Sequence, residues 1–455
     1  MGKYFGTDGF RGKAGDVLRA EHAFKIGRYI GWYFNQKHDN QERAKIVIGK
    51  DTRRSSYTFE NALAAGITAS GADAHLLHVT TTPSVSFITR DEHFDCGIMV
   101  SASHNAYYDN GIKLVNGDGE KMNDDVLEEI EKYIDSREDY IPYAQEDAIG
   151  KTEDFYFGRN RYIGYLSGQA VKSFENCRVA LDCANGSAWM IARAVFDALG
   201  AKSQVINNNP SGMNINKNCG STHLEGLQKF VRDNMLDVGF AFDGDADRCL
   251  AVDENGDVVN GDQIIYICAK YMKEHNQLPN NRVVVTIMSN MGLFKALEKE
   301  GIKYVTTKVG DRYVYEEMKK NGDVLGGEQS GHIIFSQHAH TGDGVLTAIM
   351  LMNVMIKTQL PLSILAKNCR MMPQVLKNVE VDDKELTLED PVVKKAVDEC
   401  TEKLGNSGRV LLRASGTEPV LRVMSEAGSD KEAESAVDYI IAAMAQTGHL
   451  QQIRK

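Results

Sequence analysis

Cys96-Gly-Ile-Met-Val-Ser-Ala-Ser-His-Asn-Ala-Tyr-Tyr-Asp-Asn-Gly-Ile-Lys-Leu-Val115 sets the grammar of the chain. A short apolar run ends in small and polar residues, and a second apolar run follows. This pattern predicts a buried strand that opens into a loop and returns as a hairpin or second strand. Ser103 stands in the loop, with His104 and Asn105 beside it and Lys113 ten positions on. A serine hydroxyl needs a positioned base or metal to become a nucleophile or a phosphoryl carrier. Without one, Ser101, Ser103 and Asn105 would only satisfy the turn.

The same grammar runs outward from this stretch. Asp16 to about Gln36 carries apolar residues at helical spacing (Phe24, Ile26, Tyr29, Ile30, Tyr33). Ala44 to Asp51 is a buried-strand run, followed by a helical stretch through Leu63 and Ile67. Strand, helix, strand in this order predicts an α/β unit with at least partly parallel pairing. The pattern recurs twice. Arg178 to Asp182 runs into Cys183-Ala-Asn-Gly186, and Val238 to Phe242 into Asp243-Gly-Asp-Ala-Asp-Arg248. Arg282 to Thr286 runs into Met288-Ser-Asn-Met-Gly292, and Val324 to Gly327 into Glu328-Gln-Ser-Gly-His332. Open α/β sheets bind ligands beyond the ends of such strands, so these loops are expected to converge on one cleft.

Asp243, Asp245 and Asp247 alternate, and an extended segment would turn all three carboxylates to one side. Three such groups repel unless a hard cation joins them, for which Mg²⁺ or Ca²⁺ is the usual class. An EF-hand is excluded. Glu254 does fall at the twelfth position from Asp243, but Arg248 holds the sixth, where the sharp turn needs glycine. The flanks, V-G-F-A-F and C-L-A-V, also read as strands. Thr307-Lys-Val-Gly-Asp-Arg-Tyr313 is a further polar loop with two cations. In G-G-E-Q-S-G-H (326–332), glycines allow close approach, and Glu328, Gln329 and Ser330 can bond hydroxyls.

The last unit differs. Arg409 to Arg413, then Ala-Ser-Gly-Thr-Glu-Pro419, then Val420 to Met424 read as strand, tight loop, strand. Successive N–H groups of Ser415, Gly416 and Thr417 can form an anion nest, with Arg413 and Arg422 adding donors. Ser429 and Glu432 make a capping box. The helix that follows has an apolar stripe of Ala433, Ala436, Val437, Ile440, Ile441 and Met444, which is core.

Composition bounds the partners. The chain has 455 residues, enough for roughly three domains at about 150 each. A net charge of −11 and a pI near 5.6 argue against a nucleic-acid or anionic-membrane binder, which wants a basic face. An anionic small substrate stays open. Eight scattered cysteines without a C-x-x-C pair suit reduced core thiols better than a disulfide framework. The N-terminus carries no apolar signal region and no run approaches a membrane span, so the expected location is cytoplasmic.

Taken in order, F-G-T-D-G-F-R-G, S-A-S-H-N, D-G-D-A-D-R, G-E-Q-S-G-H and R-A-S-G-T-E-P resemble the α-D-phosphohexomutase superfamily over nearly the whole chain. M-S-N-M-G-L and K-V-G-D-R-Y-V, together with the N-terminus, resemble its bacterial branch acting on glucosamine phosphates. The resemblance implies three related α/β units with mixed sheets plus a smaller C-terminal α+β domain around a central cleft. The implied boundaries are 1–150 for the phosphoserine loop, 151–256 for the metal loop, 257–371 for sugar recognition and 372–455 for phosphate binding. The implied activity interconverts glucosamine 6-phosphate and glucosamine 1-phosphate and feeds UDP-N-acetylglucosamine synthesis. A phosphoserine at Ser103 and a sugar 1,6-bisphosphate are the implied carrier and intermediate. One Mg²⁺ would be held by Asp243, Asp245 and Asp247 with the oxygen of Ser103. Glu328 and Ser330 would contact sugar hydroxyls, and Arg413, Ser415, Gly416, Thr417 and Arg422 the substrate phosphate. Lys113 and His332 are the implied acid/base residues, and Arg11 and Arg248 supporting cations. The chain would act as a monomer or homodimer, with no nucleic-acid or membrane partner. A phosphomannomutase or phosphoglucomutase, or a metal-dependent sugar phosphatase, is the alternative. Two departures stand out: Ala106 and Leu224 occupy positions where the family usually has proline. Losing proline at 106 frees the loop backbone and lifts the restraint on Asn105 without removing a chemical group.

Overall fold

The computed structural model describes residues 2–38, 42–415 and 420–454. They group into two compact units, 2–288 with 300–367, and 289–299 with 368–454.

The larger unit holds three sheets built on one plan. In the first, Lys45–Lys50 lies parallel between Asp73–Val79 and Cys96–Val100, and the latter turns back into antiparallel Asp109–Asn116. In the second, Arg178–Asp182 lies parallel between Lys202–Ile206 and Val238–Phe242, which turns back into Cys249–Asp253. In the third, Arg282–Thr286 lies parallel between Lys303–Thr307 and Leu325–Gly327, which turns back into Ile333–Phe335. Three further strands bring the first sheet to seven and one brings the second to five, while the third stays at four. The reversing turns are residues 101–108, 243–248 and 328–332, the three polar loops singled out from the sequence. Three related α/β units with mixed sheets are therefore present. Their central strands are covered on both faces, and Ile46, Val47, Ile48, Val283, Val284 and Val285 are all fully buried. Such strands read as unbroken apolar runs rather than alternations.

The first helix begins at Ala20 rather than near Asp16, because Ala14 bridges Leu18 and residues 14–18 form a turn. It packs on helix Arg54–Ala69 with the backbones nearly touching. A Cβ on Gly66 would sit 2.2 Å from the Phe24 carbonyl oxygen, so only glycine permits this approach.

The smaller unit is an antiparallel sheet ordered Arg409–Ala414, Val420–Glu426, Gln374–Val381, Leu450–Arg454. Helix Asp430–Gln446 lays the expected apolar stripe on it, and Ser429 caps that helix by accepting the Glu432 N–H. Helix Met291–Lys299 belongs to this unit, although chain order groups it with the third α/β unit. Met291 N–H donates to Glu426 Oε2 at 2.9 Å, and Arg409 Nη2 donates to the Ser289 carbonyl at 2.5 Å. All eight cysteines are free thiols. Among the described residues no helix is long and apolar enough to cross a membrane.

Candidate active site

Ser103 lies just past the strand that positions it, fully buried and in the left-handed region at φ 53°. Its N–H donates to Ser101 Oγ at 3.0 Å, and its hydroxyl donates to Asp243 Oδ2 at 2.5 Å. The carbonyl groups of its turn face side chains. Arg53 Nη2 donates to the oxygens of Ser103 (2.9 Å) and Asn105 (3.0 Å). Arg53 Nη1 reaches those of Asn105 (3.2 Å) and Ala106 (3.1 Å). Asn216 Nδ2, from the second α/β unit, donates to Ser103 O at 2.9 Å and Asn105 O at 3.0 Å. Asp51 pairs with Arg53 Nε at 2.9 Å and accepts the hydroxyls of Ser56 and Ser101, each at 2.7 Å. Gly244 brings the aspartate turn against the serine turn; a Cβ there would lie 2.4 Å from Ser103 O.

The three aspartates converge by a different route from the expected extended segment. Residues 243–248 form a compact turn with Ala246 at φ 55° and its N–H bonded to Asp243 O, because the chain must reverse between antiparallel strands. One carboxylate oxygen from each of Asp243, Asp245 and Asp247 still lies within 4.8 Å of the others. Asp245 Oδ2 accepts the Thr82 hydroxyl (2.5 Å) and Lys113 Nζ (2.6 Å), and Lys113 also lies 3.1 Å from Asp247 Oδ2. Thr82 opens helix Thr82–Asp91 and its N–H donates to Asp245 O at 3.0 Å. The positive end of a helix therefore faces the cluster. Asp245 Oδ1 and Asp247 Oδ1 are buried without a hydrogen-bond partner. An oxygen-only set of buried, incompletely paired carboxylates fits a hard divalent cation, so this cluster could hold a metal ion.

The electrostatics divide the cluster. Burial, then Asp247 and Asp245, push Asp243 well above the usual carboxylate range. Burial would raise Asp247 too, but Lys113, His332 and Arg248 outweigh it and hold Asp247 well below. Burial disfavours charge on Lys113, yet Asp245 and Asp247 prevail and keep it protonated. Burial, then Arg248 and Arg11, bring His104 down to about 4, so the imidazole beside Ser103 is neutral.

The third turn adds His332, buried, with Nδ1 at 3.8 Å from Asp247 Oδ1 and Nε2 at 3.4 Å from Asp311 Oδ2. Gly342 N–H donates to Nε2 at 2.9 Å, which puts the neutral ring's proton on Nδ1. Burial lowers the His332 pKa, but Asp311, Asp247 and Glu328 together raise it. Lys121 neutralises Asp311 at 2.6 Å. Glu328, half-buried, accepts Gly310 N–H at 3.0 Å, and Ser330 Oγ donates to its other oxygen at 3.4 Å. Arg11 lies 3.6 Å from Asp8, and Arg248 Nε 4.0 Å from Asp247 Oδ1. Asp8, Thr82, Lys113, Asp247 and Asp311 line one recess.

In the smaller unit, Arg413 and Arg422 are directly opposite each other on neighbouring antiparallel strands. Cross-strand neighbours lie close enough to act on one ligand, and two guanidinium groups so placed suit an anion. Ser415 N–H donates to Val420 O at 2.9 Å. Gly416 and Thr417 lie outside the described residues.

The structure thus brings Ser103, the three aspartates, Lys113 and His332 into one contact network within the larger unit. Arg413, Ser415 and Arg422 form a separate group in the smaller one. Sequence reasoning misses Asp51, Arg53, Thr82, Asn216 and Asp311. Asp51 and Arg53 follow a buried strand directly, as Ser103 does, and that position is the signal that could have found them.

Four models of the phosphoglucomutase/phosphomannomutase family match the chain. The alpha/beta/alpha domains I, II and III cover residues 2–141, 160–256 and 260–371, and the C-terminal domain covers 376–443. The chain belongs to this family. It is 60% identical over 449 residues to the phosphoglucosamine mutase of Lachnospira eligens, covering 99% of this chain and 100% of that one. Identity to the phosphoglucosamine mutase of Bacillus subtilis is 47% over 441 residues, covering 97% and 98%. Among solved structures, a Burkholderia thailandensis phosphoglucomutase/phosphomannomutase family protein shares the fold with a TM-score of 0.81 at 24% identity, covering 98% of both chains. The N-acetylphosphoglucosamine mutase of Aspergillus fumigatus, in complex with GlcNAc-6P and magnesium, shares it with a TM-score of 0.71 at 18% identity, covering 98% and 96%.

Proposed function

We propose that the chain is an intramolecular phosphotransferase that interconverts glucosamine 6-phosphate and glucosamine 1-phosphate through phosphorylated Ser103 and a sugar 1,6-bisphosphate. The observation that carries this reading is the buried Ser103 hydroxyl, 2.5 Å from an aspartate of a three-carboxylate cluster. The phosphoglucosamine mutase named at 60% identity supports the choice of sugar. Asp243, Asp245 and Asp247, with the oxygen of Ser103, would hold Mg²⁺, which when bound supplies charge neutralisation around a transferring phosphoryl group.

The chain's own groups then position substrate and move protons. The free sugar hydroxyl attacks the phosphorus of phosphorylated Ser103, the P–Oγ bond breaks, and the hydroxyl proton passes to His332. Protonation of His332 at Nε2 displaces the Gly342 N–H from that nitrogen, and Asp311 Oδ2, 3.4 Å away, accepts the new N–H. Ser103 Oγ takes up a proton from Lys113, which its aspartates keep charged, and regains its bond to Asp243. After the bisphosphate reorients, Ser103 Oγ returns that proton to Lys113 as it attacks the other phosphorus, the P–O bond to the sugar breaks, and the departing sugar oxygen takes the proton held by His332. Glu328 and Ser330 hold ring hydroxyls. Arg413, Ser415, Gly416, Thr417 and Arg422 hold the phosphate that is not reacting, and Arg11 and Arg248 offset negative charge.

The test is an assay of the purified enzyme with glucosamine, mannose and glucose monophosphates, following both the isomer and free phosphate. The expected result is isomer without matching phosphate release, fastest with the glucosamine phosphates. Stoichiometric free phosphate would make the protein a phosphatase, and faster turnover of mannose or glucose phosphates would reassign its substrate.

A further inference from the structure

We infer that Arg53 and Asn216 are positioning residues for the phosphoryl transfer, clamping the turn that carries Ser103. The inference rests on the reading of Ser103 as the phosphoryl carrier. Residues 101–108 make the longest of the three reversing turns, and its outer part, Ala106, Tyr107 and Tyr108, is exposed. A turn of that length, with alanine at 106, has no ring to fix its backbone.

Its restraint comes from elsewhere. Both main-chain polar groups of Ser103 end on one buried ion pair. The N–H passes through the Ser101 hydroxyl to Asp51, and the carbonyl goes directly to Arg53. The guanidinium spreads four contacts over the carbonyls of Ser103, Asn105 and Ala106 while its Nε faces Asp51. A rigid five-donor fork can do this and an ammonium cannot.

Asn216 gives a second donor to two of these carbonyls, those of Ser103 and Asn105. Its own backbone is pinned by its N–H to Ala184 O at 2.9 Å, and it sits at φ 58°, a conformation asparagine tolerates. It comes from the α/β unit that also supplies Asp243, so the clamp fixes the serine hydroxyl relative to its aspartate partner. A misplacement of about 1 Å in such a reaction can cost about a hundredfold in rate.

The test uses Asn216→Gly, which removes the donor yet accepts the left-handed backbone without strain, alongside Arg53→Lys and Ser103→Ala. For Asn216→Gly, kcat is expected to fall about ten- to a hundredfold, with KM for either monophosphate changed by no more than about twofold. Its thermal midpoint should stay close to that of the parent, and amide hydrogen exchange of a peptide spanning 101–110 should accelerate. Adding Ala106→Pro should restore about two- to fivefold of the lost kcat, because the ring fixes the backbone that the clamp held. Arg53→Lys should lower kcat in the same way; if that variant does not fold, Asn216→Gly decides alone. An unchanged kcat in Asn216→Gly beside an inactive Ser103→Ala overturns the clamp alone. So does a loss of kcat without faster exchange in 101–110. Activity in Ser103→Ala overturns the reading of the carrier and the clamp with it.

Discussion

The serine turn and the turn at residues 328–332 hold the same place in two copies of one sheet plan, yet side chains meet the carbonyls of the first and main-chain groups those of the second. The first runs over eight residues, and side chains from two other segments collect its carbonyl groups. The second runs over five, and main-chain N–H groups meet its carbonyls: Gly331 on Glu328 O, Gly261 on Gln329 O and Cys249 on Gly331 O, each at 3.0 Å. The first buries its hydroxyl completely, while the second leaves Glu328 and Ser330 half-buried. On the proposed function, this difference follows from what each turn does. An atom that receives a phosphoryl group has to be fixed, since reactivity depends steeply on geometry. Groups that bind one sugar ring in two orientations have to be reachable by that ring each time it turns over.

The contrast can be broken most completely at Ser103. Ser103→Ala should reduce turnover to background, because no other group replaces the carrier, and a coupled assay of isomer formation reads this directly. Metal removal comes next. After chelation, activity should vanish and return more fully with Mg²⁺ than with Ca²⁺, whose larger shell accepts looser geometry. Equal turnover with either ion would count against a tightly organised aspartate cluster. Lys113→Ala and His332→Ala should cost about 10²–10⁴-fold each, the range for acid/base groups. A Ser103→Ala variant more active than either would reverse the ranking on which the comparison stands.

The smallest effect belongs to the recognition turn and sharpens the contrast. Glu328→Ala removes a charged hydrogen-bond partner, which typically weakens affinity about ten- to a hundredfold. The reaction's equilibrium constant ties forward and reverse kcat/KM together, so the informative measurement is direct binding of each monophosphate to the variant. Comparable losses for both isomers are expected. A loss for one alone would show that separate residues read the two orientations.

Much of this arrangement was legible in the chain. The strand runs before Ser103, Asp243 and Glu328 gave the repeated unit, because strands buried on both faces leave unbroken apolar blocks. Charge density marked the aspartates, although their convergence comes from a turn with Ala246 left-handed and not from extended alternation. Arg53 had only its place after a buried strand to mark it, and Asn216 had nothing: both bond main-chain oxygens, which every residue carries, so no pattern of partner side chains points to them. Asn216 lies in an asparagine-rich segment that reads as ordinary loop. The loop 307–313 was noted for its cations, but Arg312 pairs outward with Asp124 and Glu316, and Asp311 is the residue beside His332. That exchange of roles depends on which side of helix Asp311–Asn321 meets the third turn, and only the fold decides it.

The central claim is that Ser103 carries the phosphoryl group, and peptide mass spectrometry after incubation with a hexosamine 1,6-bisphosphate tests it most directly. One phosphoryl group should appear on the peptide containing Ser103, be absent from Ser103→Ala, and leave as bisphosphate when a sugar monophosphate is added. Phosphorylation of a different residue, or loss of the bisphosphate's phosphate to solvent with Ser103 unmodified, would contradict the account.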